Sequence, residues 1–177
     1  MSDLGETGGI PPVHLWKPDY CGEIDIRITK DGLWFHEGSP IGRPQLVRLF
    51  STVLYKEQQD YFLITPVEKM KIAVEDAPFI ITTMEVEGAG TEAQKLIFTT
   101  NVGDEVIVDA DHPLIFRASS EGEQGGVPYV IVRYGLEAKL SRPVYYQLAE
   151  FAVGEPASVL SAGEDFPFGL SEERGAK

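Results

Sequence analysis

Residues 24–36 read IDIRITKDGLWFH, and this stretch decides the fold. Apolar and polar residues alternate from Ile24 to Ile28, which is the pattern of a strand with one buried face. Asp31-Gly32 follows, and Asp-Gly between two such runs is typical of the tight turn that joins antiparallel strands. The sequence therefore predicts a β-hairpin near the start of the folded chain, with residues 33–36 as its second strand.

Short segments of the same kind recur along most of the chain. Each is rich in β-branched or aromatic residues and is bounded by Gly, Pro, Asn or Asp, so each predicts a strand. These further strands are expected at residues 61–65, 71–74, 79–86, 96–99, 105–108, 114–117, 129–134 and 136–140.

Two segments show helical spacing instead, and each follows an Arg-Pro pair. Proline suits the first position of a helix, where its missing N–H costs nothing, and Ser141 can help to cap the second helix. After Arg43-Pro44 the predicted apolar stripe comprises Leu46, Val47, Leu49, Phe50, Val53 and Leu54. After Arg142-Pro143 it comprises Val144, Leu148, Phe151 and Ala152.

Part of the chain repeats itself after a shift of 35 residues, which superimposes residues 65–80 on residues 100–115. Both copies begin with Thr and contain Asp-x-Pro-apolar-Ile, at Asp76 and at Asp111. We predict an α+β fold of two small β-rich units with internally repeated motifs, in which antiparallel sheets each curl around one amphipathic helix. The expected divisions are a flexible lead (1–20), an N-terminal unit (21–85), a C-terminal unit (86–170) and a frayed tail (171–177).

The composition restricts the classes of partner. Lys and Arg number 15 against 28 Asp and Glu, for a net charge of −13, whereas a nucleic-acid-binding protein needs a basic surface. Nucleic acid and anionic membranes are therefore disfavoured. Cys21 is the single cysteine, which excludes an intramolecular disulfide and fits a reducing compartment. With no apparent signal peptide or membrane-spanning stretch, we expect a cytoplasmic protein.

Several of these motifs together resemble the bacterial domain-of-unknown-function family 1285. The motifs that carry the resemblance are Asp31-Gly32-Leu33-Trp34, Arg43-Pro44, residues 65–69, residues 74–79, residues 98–101, residues 133–138 and residues 142–146. The resemblance covers about Cys21 to Val153. It implies two small β-rich domains with repeated motifs and a suspected signalling or regulatory role, and it brings no catalytic residues.

The sequence contains few motifs that are typical of catalysis, cofactor binding or metal binding. No Ser lies in a Gly-x-Ser-x-Gly elbow and no glycine-rich segment has a P-loop context, so we predict no catalytic residue and no cofactor. Cys21 is expected to be a small buried thiol rather than one half of a Cys–His pair. Asp109-x-Asp111-His112 groups potential metal ligands, but Asp76 repeats Asp111 without a histidine. A carboxylate that closes a turn before the proline explains both copies better, so no metal site is predicted.

Arg43 and Arg142 are the best candidates for a binding site. Each lies where a helix begins and where the helix dipole disfavours a cation, so each needs an anionic partner. That partner is either a carboxylate of the chain, such as Asp76, Asp111 or Glu137, or a bound phosphate or carboxylate ligand. The ligand site, if it exists, would comprise Arg43, Arg142, Asp76 and Asp111.

Two functions remain open at this point. The leading interpretation is a non-enzymatic binding or regulatory module, involved in signal transduction, with another protein or a second copy of the chain as partner. The alternative is a site for a small anionic metabolite, bound or transformed at the Arg-Pro helix starts. An enzyme should show a cleft with convergent polar groups, and a binding module should show an exposed apolar patch or sheet edge.

Overall fold

Each half of the chain builds its own six-stranded sheet in this computed structural model, which describes residues 10–118 and 126–170. The two compact units are Met1–Pro78 and Phe79–Lys177. Residues 1–9 of the expected flexible lead and the whole expected frayed tail lie outside the described residues.

The first unit begins with a short 3₁₀ turn at Val13–Leu15 and continues through six strands and one helix. In the sheet the strands take the order β3-β2-β1-β6-β5-β4. The elements are β1 (Tyr20–Ile28), β2 (Trp34–His36), β3 (Ser39–Pro40), α1 (Pro44–Ser51), β4 (Leu54–Glu57), β5 (Asp60–Ile64) and β6 (Glu68–Val74).

The second unit has a six-stranded sheet in the order β10-β11-β12-β7-β8-β9, followed by a helix and a separate two-stranded hairpin. Its elements are β7 (Phe79–Glu87), β8 (Lys95–Thr100), β9 (Glu105–Ile107), β10 (Leu114–Arg117), β11 (Val127–Arg133), β12 (Leu136–Leu140), α2 (Arg142–Ala149), β13 (Ser158–Ser161) and β14 (Glu164–Pro167).

Both sheets have the same topology. Each consists of two three-stranded antiparallel meanders. The strands that come first and last along the chain of each unit pair in parallel at the centre of the sheet, β1 with β6 and β7 with β12, and so join the two meanders. The prediction of purely antiparallel sheets is therefore wrong at the centre of each sheet. Alternation of apolar residues shows which face of a strand is buried, but it carries no information about the direction of the neighbouring strand.

The predicted strands are confirmed, with boundaries that shift by a few residues. The hairpin between β1 and β2 also forms as expected, with Gly32 at a φ of 86° in its turn. The sequence reading missed β3, β4, β13 and β14. β3 has only two residues, β4 begins at a leucine that had been counted in a helical stripe, and β13 and β14 lie in a Gly- and Pro-rich tail.

Both predicted helices form, but each is only eight residues long. α1 ends at Ser51, so Val53 and Leu54 lie outside it and Leu54 is a buried residue of β4. Ser141 holds the N-cap position of α2 without a hydrogen bond from its side chain. The fold is consequently β-rich with little helix.

The expected lead and domain boundary also differ from the structure. Val13 is fully buried, so the described part of the lead is anchored. The units divide after Pro78, whereas the sequence placed the division between Glu85 and Val86, which lie within β7. The Asp-x-Pro motif at Asp76 therefore stands at the junction between units.

The 35-residue repeat has a structural cause at its first position. The hydroxyl of Thr65 accepts hydrogen bonds from the backbone N–H groups of Val67 and Glu68, in the turn between β5 and β6. The hydroxyl of Thr100 accepts in the same way from Val102 and Asp104, between β8 and β9. A threonine hydroxyl that satisfies two backbone donors stabilises each turn, and this shared role explains the repeated threonine.

The C-terminal hairpin is an integral part of the second unit. Ser161 is fully buried; its hydroxyl accepts from the N–H of Leu96 (2.9 Å) and donates to the carbonyl of Val108 (2.6 Å). Phe166 is buried, and Phe168 stacks on Tyr145 of α2 at a centroid distance of 5.7 Å. Through these contacts Phe166 and Phe168 hold the hairpin and the residues after it against the second unit.

The burial of Phe166 predicts a large effect on stability. Truncating a buried phenylalanine leaves a cavity and costs about 3–5 kcal/mol, so we expect a loss of this size in the free energy of unfolding of Phe166→Ala. Urea denaturation of the full chain measures it, with the exposed Asp165→Ala as the matched control from the same strand. Equal stability of the two variants would show that the hairpin does not pack as described.

Candidate functional site

Of the four residues of the predicted ligand site, two belong to the first unit and two to the second. Arg43 is the exposed N-cap residue of α1, and Asp76 follows β6 at the end of the first unit. Arg142 is the first residue of α2, and Asp111 is exposed in the turn before β10. Binding of an anion by these residues stays a prediction.

Glu137, which the sequence offered as a partner for these arginines, pairs with Arg117 instead. The guanidinium of Arg117 contacts both carboxylate oxygens of Glu137, with Nη2 at 2.6 Å from Oε2, and it lies over the ring of Tyr129 at 5.2 Å. Glu137 is buried, whereas the side chain of Arg117 is about half exposed. A bidentate, charge-assisted pair of this kind satisfies a carboxylate that would otherwise be costly to bury.

A second pair in the same unit is more enclosed. Nη1 of Arg133 lies 3.1 Å from Oδ2 of Asp104, and both side chains are at most 16% exposed. The guanidinium of Arg133 also lies over the ring of Phe79, at 5.3 Å. In the first unit, Arg27 repeats the arrangement on the surface, with Glu75 as its carboxylate and Phe35 as its ring. These arginines therefore serve to tie strands together.

The turn before β10 is closed by Asp109 and not by Asp111. Oδ1 of Asp109 accepts from the backbone N–H groups of Asp111 and His112, at 3.0 and 2.9 Å, and lies 2.9 Å from Nδ1 of His112. The sequence reading was right that a carboxylate holds this turn, but it selected the wrong residue. Within residues 10–118 and 126–170, no three His, Cys, Asp or Glu side chains are grouped so as to hold a metal ion.

A shallow open cleft of about 490 Å³ lies where the central pair of the first sheet is interrupted. β1 and β6 pair up to Glu23 and Lys71 and resume at Arg27 and Ala73, so three residues of β1 face one residue of β6. The charged residues that line the cleft, Glu23, Asp25 and Lys71, are exposed, and Lys71 lies 3.5 Å from Asp60. This arrangement lacks the buried, convergent polar groups on which catalysis depends.

The side chain of Lys69 has a shifted pKa. Its Nζ donates a hydrogen bond to Oε1 of Glu57 at 2.6 Å, and this bond raises the pKa of Lys69 above its ordinary value. The ammonium also lies over the ring of Phe62, at 4.8 Å. The pair joins β4 to β6 across β5 at the surface, so its role is structural.

The single cysteine departs from expectation. Cys21 is exposed on β1, opposite Lys69 in the parallel register, so the prediction of a buried thiol is wrong. The reason is that β1 starts at Tyr20, and its first residues extend beyond the part of the strand that packs on the core.

The outer face of α1 is the feature that the sequence did not foresee. Among the residues of α1, all of which are described, only Ser51 is fully buried. Leu49, two residues before it, lies about 200° away around the helix and is 56% exposed. Leu46 and Phe50 are half-buried beside it, and Phe50 stacks on Trp34 at a centroid distance of 6.2 Å. The apolar stripe of α1 is thus only partly covered, although the sequence predicted that it packs on the sheet.

α2 provides the contrast. Val144 and Leu148, four residues apart and hence on one side of the helix, are fully buried, and α2 packs against β7. The two helices have equal lengths and both carry proline in the first turn. Tyr146 of α2 is as exposed as Leu49, at 56%, so the difference between the helices is that α2 buries two apolar residues and α1 buries none.

Comparison with known proteins assigns the family. The model described as "Domain of unknown function (DUF1285), N-terminal domain" matches residues 11–77, and that described as "Protein of unknown function (DUF1285), C-terminal domain" matches residues 78–168. The chain belongs to the DUF1285 family. The resemblance seen in the sequence is thereby confirmed, and the two family domains correspond to the two structural units.

Solved structures agree with this assignment. A DUF1285 family protein from Silicibacter pomeroyi DSS-3 is 42% identical, with a TM-score of 0.86 over 96% of this chain and 93% of that chain. A second, from Shewanella baltica OS155, is 28% identical, with a TM-score of 0.56 over 71% of this chain and 90% of that chain. No curated protein matches the chain.

The DUF1285 motifs of this chain have structural roles. In the segment 133–138, Arg133 forms the ion pair with Asp104 and Glu137 forms the ion pair with Arg117. Between them, Tyr134 and Gly135 have positive φ values of 50° and 79° in the tight turn from β11 to β12. Asn101 accepts from the N–H of Ile80 (3.0 Å) through its side chain. These family motifs therefore specify turns and strand contacts.

No helix among the described residues is long and apolar enough to span a membrane.

The two arginine–glutamate pairs predict different energetic effects. Removing Arg117 leaves the buried Glu137 without its counter-ion, so we expect Arg117→Ala to lower the free energy of unfolding by about 3 kcal/mol. Arg27→Ala is the matched control, because Arg27 also lies over an aromatic ring and pairs with an exposed glutamate. Its loss should be at most about 1 kcal/mol. Urea denaturation compares them, and equal losses would contradict the structural role assigned to the Arg117 pair.

The pKa of Lys69 predicts a pH-dependent contribution to stability. Because the pKa of Lys69 is higher in the folded chain, the Lys69–Glu57 pair makes its full contribution to the stability of the fold below the ordinary lysine pKa of about 10.4. This contribution disappears as the pH rises through the pKa of the folded chain. Removing the carboxylate charge in Glu57→Gln should lower the free energy of unfolding by less than about 1 kcal/mol at neutral pH, and the difference from wild type should shrink in alkali. Urea denaturation over a pH series tests this, with Glu68→Gln as control. A constant difference would refute the assignment.

Proposed function

We propose that the protein is a non-enzymatic binding module that acts in the cytoplasm as a regulatory component of signal transduction, and that it binds another protein through the outer face of α1. The observation that carries the proposal is the 56% exposure of Leu49 in an amphipathic helix whose apolar stripe is only partly covered. A group of neighbouring apolar side chains, rather than a single exposed one, is typical of an interaction site, and Leu46, Leu49 and Phe50 are neighbours on α1.

The organisation of the polar groups supports the same proposal. Arg27, Arg117 and Arg133 are engaged in ion pairs and ring contacts that hold strands together. The ionisable residues that line the cleft at β1 and β6 are exposed and dispersed. Such an arrangement suits a rigid scaffold that presents a surface better than a site that transforms a substrate.

The size of α1 fits helix-mediated recognition. Eight residues give about two turns, or about 12 Å, which is long enough to present apolar residues at spacings of three and four to a partner. Leu46, Leu49 and Phe50 have this spacing. A few anchor residues contribute most of the binding energy at protein interfaces, and aromatic side chains are enriched among them.

Site-specific photo-crosslinking in bacterial cells that produce the chain tests this function. p-Benzoylphenylalanine replaces Leu49 in one variant and Val153 in the control, because Val153 is equally apolar and 66% exposed in the second unit. We expect a light-dependent protein adduct at position 49, identified by mass spectrometry and absent at position 153. No adduct at either position, or the same adducts at both, would overturn the proposal.

A further inference from the structure

We propose that the partner of α1 is acidic, and that it binds with an apolar segment flanked by Asp and Glu side chains. This inference rests on the proposed function, since it names the chemistry of the partner at the same surface. Its basis is the local charge around α1, which is opposite in sign to that of the whole chain.

The reversal of charge is evident in the sequence around α1. Between Glu37 and Glu57 there is no acidic residue, whereas Arg43, Arg48 and Lys56 contribute three positive charges. The whole chain has a net charge of −13, so the remainder carries −16. The one long segment free of carboxylates in an acidic chain therefore coincides with the helix whose apolar face is exposed.

Two of these positive groups lie on α1 and the third lies in the strand that follows it. Arg43 is the exposed N-cap residue at one end of α1, and Arg48 lies in the last turn, one residue from Leu49. Lys56 follows in β4, the edge strand of the sheet, with Nζ at 5.5 Å from the centroid of the Tyr61 ring. Apolar anchors with a cationic rim match a partner that has apolar anchors with an anionic rim, because charge complementarity determines both encounter and register.

Arg43 is also placed against the local electrostatics of the fold. A cation at the N-cap faces the positive end of the helix dipole, which is unfavourable, and Pro44 removes the first N–H of the helix. An incoming carboxylate would relieve this repulsion. The charge of Arg43 attracts an acidic partner and repels a basic one, and both effects favour acidic partners.

The seat of α1 on the sheet leaves a polar group unsatisfied. Trp34, which stacks on Phe50, is 3% exposed, and its Nε1 has no hydrogen-bond partner in the described part of the chain. An unpaired buried donor is unfavourable to the folded state.

Other occupants of this face fit the charge less well. A second copy that docks α1 against α1 brings like charges together, and an extended anionic membrane meets the net charge of −13 of the whole chain rather than α1 alone. Salt screens the interaction of an acidic segment with the distant charges of the chain. Close to α1, the attraction between the segment and the nearby positive charges is therefore the larger effect.

Selection from a library of random 12-residue displayed peptides tests the chemistry of the partner. The immobilised full chain is the target, and peptides are retained if they bind Val153→Gln but not Leu49→Gln. We expect the retained peptides to be enriched in Asp and Glu beside Leu, Ile, Phe or Trp. Their affinities, measured by fluorescence anisotropy, should fall about tenfold with Leu49→Gln and severalfold with Arg43→Gln, should be unchanged with the exposed Lys95→Gln, and should decrease with added salt.

The outcomes separate this inference from the proposed function. Peptides that depend on Leu49 but are neutral or basic, or that ignore Arg43→Gln, overturn the acidic partner and leave the α1 binding surface intact. If no peptide depends on Leu49 while circular dichroism and unfolding midpoints show every variant to be folded, both proposals fail. Dimerisation, or sedimentation with phosphatidylglycerol vesicles, that is lost in Leu49→Gln would replace the acidic partner by a second copy or a membrane.

Discussion

The parallel pairing of the first and last strands is the constraint on which each unit depends. β1 pairs with β6, and β7 pairs with β12. Without this pairing each unit would be two separate three-stranded meanders with additional open edges. Parallel pairs cannot be closed by a tight turn, so the remaining strands of the unit must be in place before the central ladder is complete. Each sheet is therefore expected to form cooperatively.

This constraint explains the placement of the ion pairs and turns. Arg117 and Glu137 join β10 to β12 across β11, and Arg133 reaches Asp104 over the ring of Phe79, which is the first residue of β7. Asp104 lies in the loop between β8 and β9, so this pair ties the end of β11 to that loop.

Local sequence patterns predicted most of the strands and both helices, because alternation, helical spacing and turn residues act over a few positions. They could not predict the parallel centre of each sheet, which depends on residues far apart in the chain. The same limit applies to the site. Arg117 and Glu137 are separated by 20 residues and Arg133 and Asp104 by 29, so no short motif joins them. The apolar stripe of α1 was visible in the sequence, but a stripe does not show whether it will be covered.

Membership of the DUF1285 family is consistent with these structural roles. The motifs that link this chain to DUF1285 occur in turns and strand contacts of the two units, and they account for how the scaffold is built. Function is then expected at surfaces that the scaffold presents. In this chain, the partly covered α1 and its basic surroundings are the surface that packing alone does not explain.

Hydrogen–deuterium exchange of the full chain, read by mass spectrometry, tests the central claim most directly. α1 and α2 are an internal matched pair, since each has eight residues and an early proline, and only α2 buries its apolar face. We predict that amides of α1 exchange at least about tenfold faster than those of α2, while those of β6 and β12 are the slowest. Protection of α1 equal to that of α2 would show that its face is firmly packed, and would contradict the account of α1 as the binding surface.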